Sequence, residues 1–226
     1  MPRITVSYHT HMKGLTMTRL HRFVPTLIVA VLVTASSALA DDDKGWVSLF
    51  DGKSLDGWKV NENPASFSIQ DGQLVVNGER GHLFYEGKVA DHDFTNFALK
   101  VELMTTPGSN SGIYFHTRYQ ESGWPEIGYE VQVNQTHGDP KKSSGLYGVQ
   151  DVMEAPVKDN EWYTQEIIVK GKRIVTKVNG KTLVDYTEPD GVEGGRKLSS
   201  GTFAIQAHDP ESKVFIKSIK VKVLED

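Results

Sequence analysis
From residue 46 onward the chain is written in short runs of alternating apolar and polar positions, the period of two that a half-buried strand requires. The runs at 46–50, 73–76, 94–104, 112–118, 128–134, 161–170, 173–178, 182–186, 202–208 and 214–224 are rich in β-branched and aromatic residues and are separated by Gly, Asn, Asp and Pro. Val178-Asn179-Gly180-Lys181 predicts a hairpin, because Asn-Gly accepts the positive φ of a tight type I′ turn. Lys170-Gly171-Lys172 predicts a second turn. Pro64, Pro107, Pro125, Pro140, Pro156, Pro189 and Pro210 fall between the runs, where they cost no ladder bond. No segment keeps a helical period. Many strands without helices predict an all-β sandwich or jelly roll, formed by 41–226 as one domain.

Three runs have one apolar side and one unusually polar side. In 112–118, Ile113 and Phe115 oppose Tyr114, His116 and Arg118. In 128–134, Tyr129, Val131 and Val133 oppose Glu130, Gln132 and Asn134. In 202–208, Phe203, Ile205 and Ala207 oppose Gln206 and His208. If these strands are neighbours, their polar sides make one concave surface of hydrogen-bonding groups suited to a carbohydrate. The competing reading is a solvated outer face, which antiparallel sheets normally carry. Trp58 and Trp162 read as core. Trp124, in a loop between two polar-faced strands, reads as a site wall.

The first 40 residues follow another pattern. Arg3, Lys13, Arg19 and Arg22 precede the apolar run 23–33, and Ala38-Leu39-Ala40 follows it. A basic stretch, a short apolar core and a small-x-small site predict a secretory signal cleaved near Ala40, with Met1 or Met17 as the start. The run is too short for a transmembrane helix, which needs roughly 20 residues. Removing 1–40 from the 226 residues takes four of 25 bases and none of 29 acids, so the net charge moves from −4 to −8. The expectation is a periplasmic or secreted protein with no stable membrane span and no affinity for nucleic acid. The absence of Cys excludes disulfides, thiolate catalysis, Cys-held metals and a lipid anchor on Cys.

The segment Leu49-Phe50-Asp51-Gly52-Lys53-Ser54-Leu55-Asp56-Gly57-Trp58 resembles the opening of an exported bacterial family, the 3-keto-disaccharide hydrolases (3-keto-glucoside 1,2-lyase/3-keto-2-hydroxy-glucal hydratase domains). Asn110-Ser111-Gly112-Ile113-Tyr114-Phe115, Gly128-Tyr129-Glu130-Val131-Gln132-Val133, Gly145-Leu146-Tyr147-Gly148, Glu161-Trp162, Val178-Asn179-Gly180, Ile205-Gln206-Ala207-His208 and 214–221 follow in the family's order. The chain departs from the pattern at His116 and at Asn134, and Lys217-Ser218 stands where Arg-Asn is usual.

The resemblance implies a concanavalin A-like jelly-roll β-sandwich, similar to laminarinase-type glucanases. It also implies cleavage of 3-keto-glycosides by removal of the C2 proton and elimination at C1. An upstream sugar 3-dehydrogenase would supply the substrate. Such chemistry needs a base, an acid and a stabiliser of the enolate oxygen. Glu130 and His116 are the expected base and acid, and Tyr147 the expected donor to the ketone or leaving oxygen. Arg118 and Lys217 are expected to stabilise the enolate, and Gln132, Gln206, Asn110 and Trp124 to bind the sugar. No cofactor is required by these residues, though His116, Glu130 and His208 could hold a divalent metal ion if they converge. A purely structural account reads Glu130 as an ion-pair partner of Arg118, Tyr147 as packing and Asn110 as a turn cap. Two other functions stay open: a non-catalytic carbohydrate-binding jelly roll, and an ordinary glycoside hydrolase on the same scaffold.

Overall fold
In the computed structural model, which describes residues 7–11 and 44–225, the strands form two antiparallel sheets. Most of the expected leader, 1–40, lies outside the described residues, and 44–225 belong to one compact unit. In chain order the strands are β1 (Val47–Ser48), β2 (Trp58–Val60), β3 (Phe67–Gln70), β4 (Gln73–Val76), β5 (Gly81–Tyr85), β6 (Phe97–Thr105), β7 (Asn110–Thr117), β8 (Tyr129–Asn134), β9 (Lys142–Leu146), β10 (Gln150–Val152), β11 (Tyr163–Lys170), β12 (Arg173–Val178), β13 (Lys181–Thr187), β14 (Thr202–Ala207) and β15 (Val214–Val223). One sheet runs β13-β12-β11-β6-β15-β4-β3, with β1 also paired to β15. The other runs β10-β9-β8-β7-β14-β5-β2.

The alternation read from the sequence sets which side of each strand is buried between the sheets. Leu99, Val101 and Leu103 of β6 and Ile167 and Val169 of β11 meet Ile113 and Phe115 of β7, Val131 and Val133 of β8, and Phe203 and Ile205 of β14 in one continuous core. Strands β12 and β13 join through the predicted Asn179-Gly180 turn, where both residues have positive φ (48° and 80°). In β15 the apolar spacing changes from two to three between Ile216 and Ile219, and the register against β6 slips between Ile216 and Ser218. Lys217 is the extra residue of that bulge.

A second bulge overturns the expected alternation of 112–118. Thr117 pairs with Thr202 and Phe115 with Phe203, which leaves His116 unpaired at φ 54°. The backbone turns over at this residue, so His116 leaves the polar side shared by its neighbours. Strands β2, β3, β5, β9 and β10 were not among the expected runs. Strand β9, Lys142-Ser143-Ser144-Gly145-Leu146, has a single large apolar residue and no β-branched one.

Candidate active site
Across the outer face of the second sheet, neighbouring strands place Glu130 opposite Tyr114, and Gln132, Gly112, Gln206 and His82 in one row. Strands β7, β8 and β14 are therefore neighbours, and their polar sides do form one surface. The surface is not solvated. Loops at 119–127, 135–141 and 189–200 rise around it and leave a cavity of about 350 Å³. Asn110, Glu130, Gln132 and Gln206 are buried in its floor. Trp124, Asp139, Tyr147, Arg196 and His208 line its walls.

Glu130 lies across β7 over Gly112. A Cβ on Gly112 would stand 2.3 Å from Oε1 and 3.0 Å from Cδ of Glu130, so the missing side chain makes the bed for the carboxyl group. Gln206 Nε2 donates to Glu130 Oε1 at 3.1 Å and also approaches the Tyr114 hydroxyl at 3.0 Å. Burial pushes the Glu130 carboxyl above its ordinary range, although Tyr114, the Arg196 charge and Gln206 act in the opposite direction. Burial likewise pushes the Tyr114 phenol up, and the neighbouring Glu130 charge adds to the effect.

The walls carry further chemistry. His208 Nδ1 bonds Asp209 Oδ2 at 2.6 Å, which fixes the ring by one edge; among the described residues no group bonds its Nε2. Burial works to raise Asp209, but its bonds to His208 and Ser212 and to the Glu211 and Ser212 amides win, and its carboxyl is held low. The Tyr147 hydroxyl donates to Asp139 Oδ2 at 3.1 Å; burial, then this bond, push its phenol up. Arg196 Nη1 donates to the Tyr147 carbonyl. The loop carrying Arg196 is tied to the core by buried Glu188, whose Oε2 accepts from Tyr129 OH at 2.5 Å and from the Leu198 amide at 2.7 Å.

Of the residues expected from the sequence, Glu130, Tyr147, Gln132, Gln206, Asn110, Trp124 and His208 converge on this cavity. His116, Arg118 and Lys217 do not. His116 sits behind the sheet: its Nε2 bonds Thr95 O at 3.0 Å, its Nδ1 accepts the Ser199 amide at 3.2 Å, and its ring packs on Phe97. Burial lowers its pKa, in keeping with a neutral structural ring. Arg118 follows the bulge and lines a separate cavity with Glu86, Asp93 and Tyr119, so it is no ion-pair partner for Glu130. Lys217 is on the other sheet, 3.6 Å from Glu102 Oε1 and over the Trp162 ring. The metal set His116, Glu130 and His208 is therefore not assembled. Among the described residues, a different set comes together: His137, His208 and Asp209 bring one ligand atom each within 4.8 Å of one another and could hold a cation at the cavity edge.

Sequence reasoning missed Arg196, Asp139 and His82. The first two lie in loops whose approach depends on tertiary structure. His82 is fully buried on β5, a strand that the runs of alternating residues did not include.

A sandwich with a loop-walled polar cavity on one sheet belongs to a recognisable class. The chain superposes on the endo-beta-1,3(4)-glucanase SCLam of family GH16 with a TM-score of 0.52 (14% identity, 79% of this chain and 91% of that one). It superposes on a Parabacteroides distasonis ATCC 8503 protein, provisionally described as a glycosyl hydrolase, with a TM-score of 0.68 (23% identity, 83% and 98% coverage). These likenesses define the concanavalin A-like sandwich. Residues 45–222 match the 3-keto-alpha-glucoside-1,2-lyase-like domain, and the chain belongs to that family. A 3-keto-disaccharide hydrolase of Bacteroides thetaiotaomicron is 28% identical over 180 residues, which are 67% of this chain and 61% of that protein. The chain thus spans less than two thirds of that relative's length. Among the described residues, no helix is long and apolar enough to cross a membrane.

Proposed function
We propose that this protein cleaves 3-keto-glycosides by elimination, with Glu130 as the base. The observation that carries this reading is the Glu130 carboxyl group: buried, pushed up by that burial, laid over Gly112 and facing a cavity floored by the amides of Asn110, Gln132 and Gln206. A ketone at C3 acidifies the C2 hydrogen. Glu130 takes that proton and the electron pair forms the C2–C3 enolate. Collapse of the enolate restores the C3 ketone, forms the C1–C2 double bond and expels the C1 oxygen. His208, oriented by Asp209, protonates the departing oxygen in the role first expected of His116. Arg196 supplies the fixed cation for the enolate, and Tyr147 a hydroxyl donor. Asn110, Gln132 and Gln206 hold hydroxyls, and Trp124 offers a ring face. Addition of water across the new double bond completes net hydrolysis. This reading includes export by the N-terminal leader and supply of the keto-sugar by a 3-dehydrogenase.

The test is incubation of the purified protein with a 3-keto-glucoside and its unoxidised parent, with and without chelator, following release of the leaving group and of the enone. Turnover of the keto-sugar alone is expected. Loss of turnover with chelator would show that a cation takes part, held by His137, His208 and Asp209 in place of the acid role given to His208. One observation favours a second reading: Asp139 brings another carboxylate to the cavity wall. Paired with Glu130 it would make an ordinary glycosidase. Both Asp139 oxygens accept local bonds, from Tyr147 OH and the Lys141 amide, which speaks for a positioning role. Hydrolysis of the unoxidised glucoside would favour the glycosidase. Sugar binding without turnover of either would leave a carbohydrate-binding module.

A further inference from the structure
The row of polar residues on the cavity floor does not end at the cavity wall. It continues from Gln206 to His82, directly opposite on β5. His82 is fully buried, yet among the described residues no group bonds either of its ring nitrogens. Burial lowers its pKa to about 4, so the ring is neutral, with one donor and one acceptor. An unpaired buried polar group is costly, and a phenylalanine would fill the same space without that cost. Beside it, Asn61 accepts the His82 amide through Oδ1 at 2.7 Å while its Nδ2 lacks a partner.

Trp124 and Tyr114 pack on the His82 ring, both edge to face, at 5.5 Å and 5.4 Å. Trp124 also meets His208, at 5.6 Å, and the Arg80 guanidinium lies 5.5 Å from its ring. Trp124 is thus a partition between the cavity and His82, and it is 43% exposed. Its backbone is braced through Gln120, whose Nε2 donates to Trp124 O at 2.8 Å.

We infer that the site extends beneath Trp124 into a second subsite, floored by His82, which takes the leaving sugar of a 3-keto-disaccharide. This rests on the reading of Glu130 as the base acting on the keto ring. With the Glu130 carboxyl over β7, His82 lies two strands away, roughly 10 Å at sheet spacing. That is the reach of a two-ring sugar with its first ring at Glu130. Swinging the Trp124 ring aside exposes the His82 nitrogens to hydroxyls of the second ring, and the indole then stacks on that ring.

The experiment compares wild type, His82→Phe and His82→Gln on a 3-keto-disaccharide and on methyl 3-keto-glucoside, with folding midpoints measured alongside. His82→Phe is expected to raise KM for the disaccharide about tenfold. The rise should exceed any on the methyl glycoside at least fivefold, with no loss of folding midpoint. His82→Gln, which keeps a donor and an acceptor, should restore most of the difference. Equal changes on both substrates, or none on either in a folded variant, would overturn the subsite. If wild type turns over neither substrate, the reading of Glu130 has failed, and the subsite is judged by quenching of tryptophan fluorescence with unoxidised sugars. Binding of a disaccharide about tenfold tighter than a monosaccharide, abolished in His82→Phe, upholds it; no preference removes it.

Discussion
The outer faces of the two sheets begin from the same sequence pattern and end in opposite physical states. On the first sheet, Lys100 and Glu102 alternate with core residues and, with Lys217 of the bulge, stay partly in water, where the Lys217–Glu102 pair is worth little. On the second, Glu130, Gln132 and Gln206 alternate with core residues in the same way and are almost wholly buried. Alternation reports which side of a strand faces the core. It is silent about whether the other side meets water or is walled in by loops. The difference becomes visible in the groups left unpaired: Asn110 Oδ1, Gln206 Oε1 and both His82 nitrogens have no protein partner on the walled face. Buried polar groups without protein partners call for an explanation, and those of Asn110 and Gln206 line the cavity, where a ligand can meet them.

The sharpest way to break this contrast is to neutralise one carboxylate on each face. Glu130→Gln should lower kcat on a 3-keto-glucoside by about 10³-fold, within the range of general-base removal, while Glu102→Gln leaves it unchanged. Equal effects would dissolve the distinction. His208→Ala should cost about 10²-fold in kcat, most of it recovered on a substrate whose leaving group needs no protonation. Gly112→Ala displaces the Glu130 carboxyl without altering any reacting group and should cost tenfold or more, read as kcat of the folded variant below its own folding midpoint.

A stability measurement separates the faces independently of turnover. Folding holds the Glu130 carboxyl above its ordinary range, so its ionisation opposes folding. Its contribution is most favourable below the unfolded-state value and is lost as pH rises through the folded one. Glu130→Gln should therefore raise the thermal midpoint at pH 7, and the gain should vanish on acidification through the ordinary carboxylate range. The smallest effect is expected at Lys217→Ala, within about 0.5 kcal/mol of wild-type stability and with unaltered activity.

Much of this was legible in the sequence. The alternation in β8 and β14 placed Glu130, Gln132 and Gln206 on one surface, and the Asn179-Gly180 turn stands where it was read. His116 was misplaced because its positive φ belongs to a residue with no turn chemistry of its own. The bulge is set by pairing with β14, which a single strand's pattern does not contain. Arg196 and Asp139 were missed because a loop residue declares its position only through the elements that anchor it. His82 was passed over because Gly81-His82 opens a strand with little to announce it.

Glu188 decides how firmly the cavity wall is held. By gripping the Tyr129 hydroxyl and the Leu198 amide through one oxygen, it joins the sheet to the segment that carries Arg196. The Gly195 carbonyl accepts the Gly128 amide at 3.0 Å, so that segment is pinned on both sides of Arg196. The guanidinium is thus delivered to the cavity by a wall anchored to the very sheet it faces.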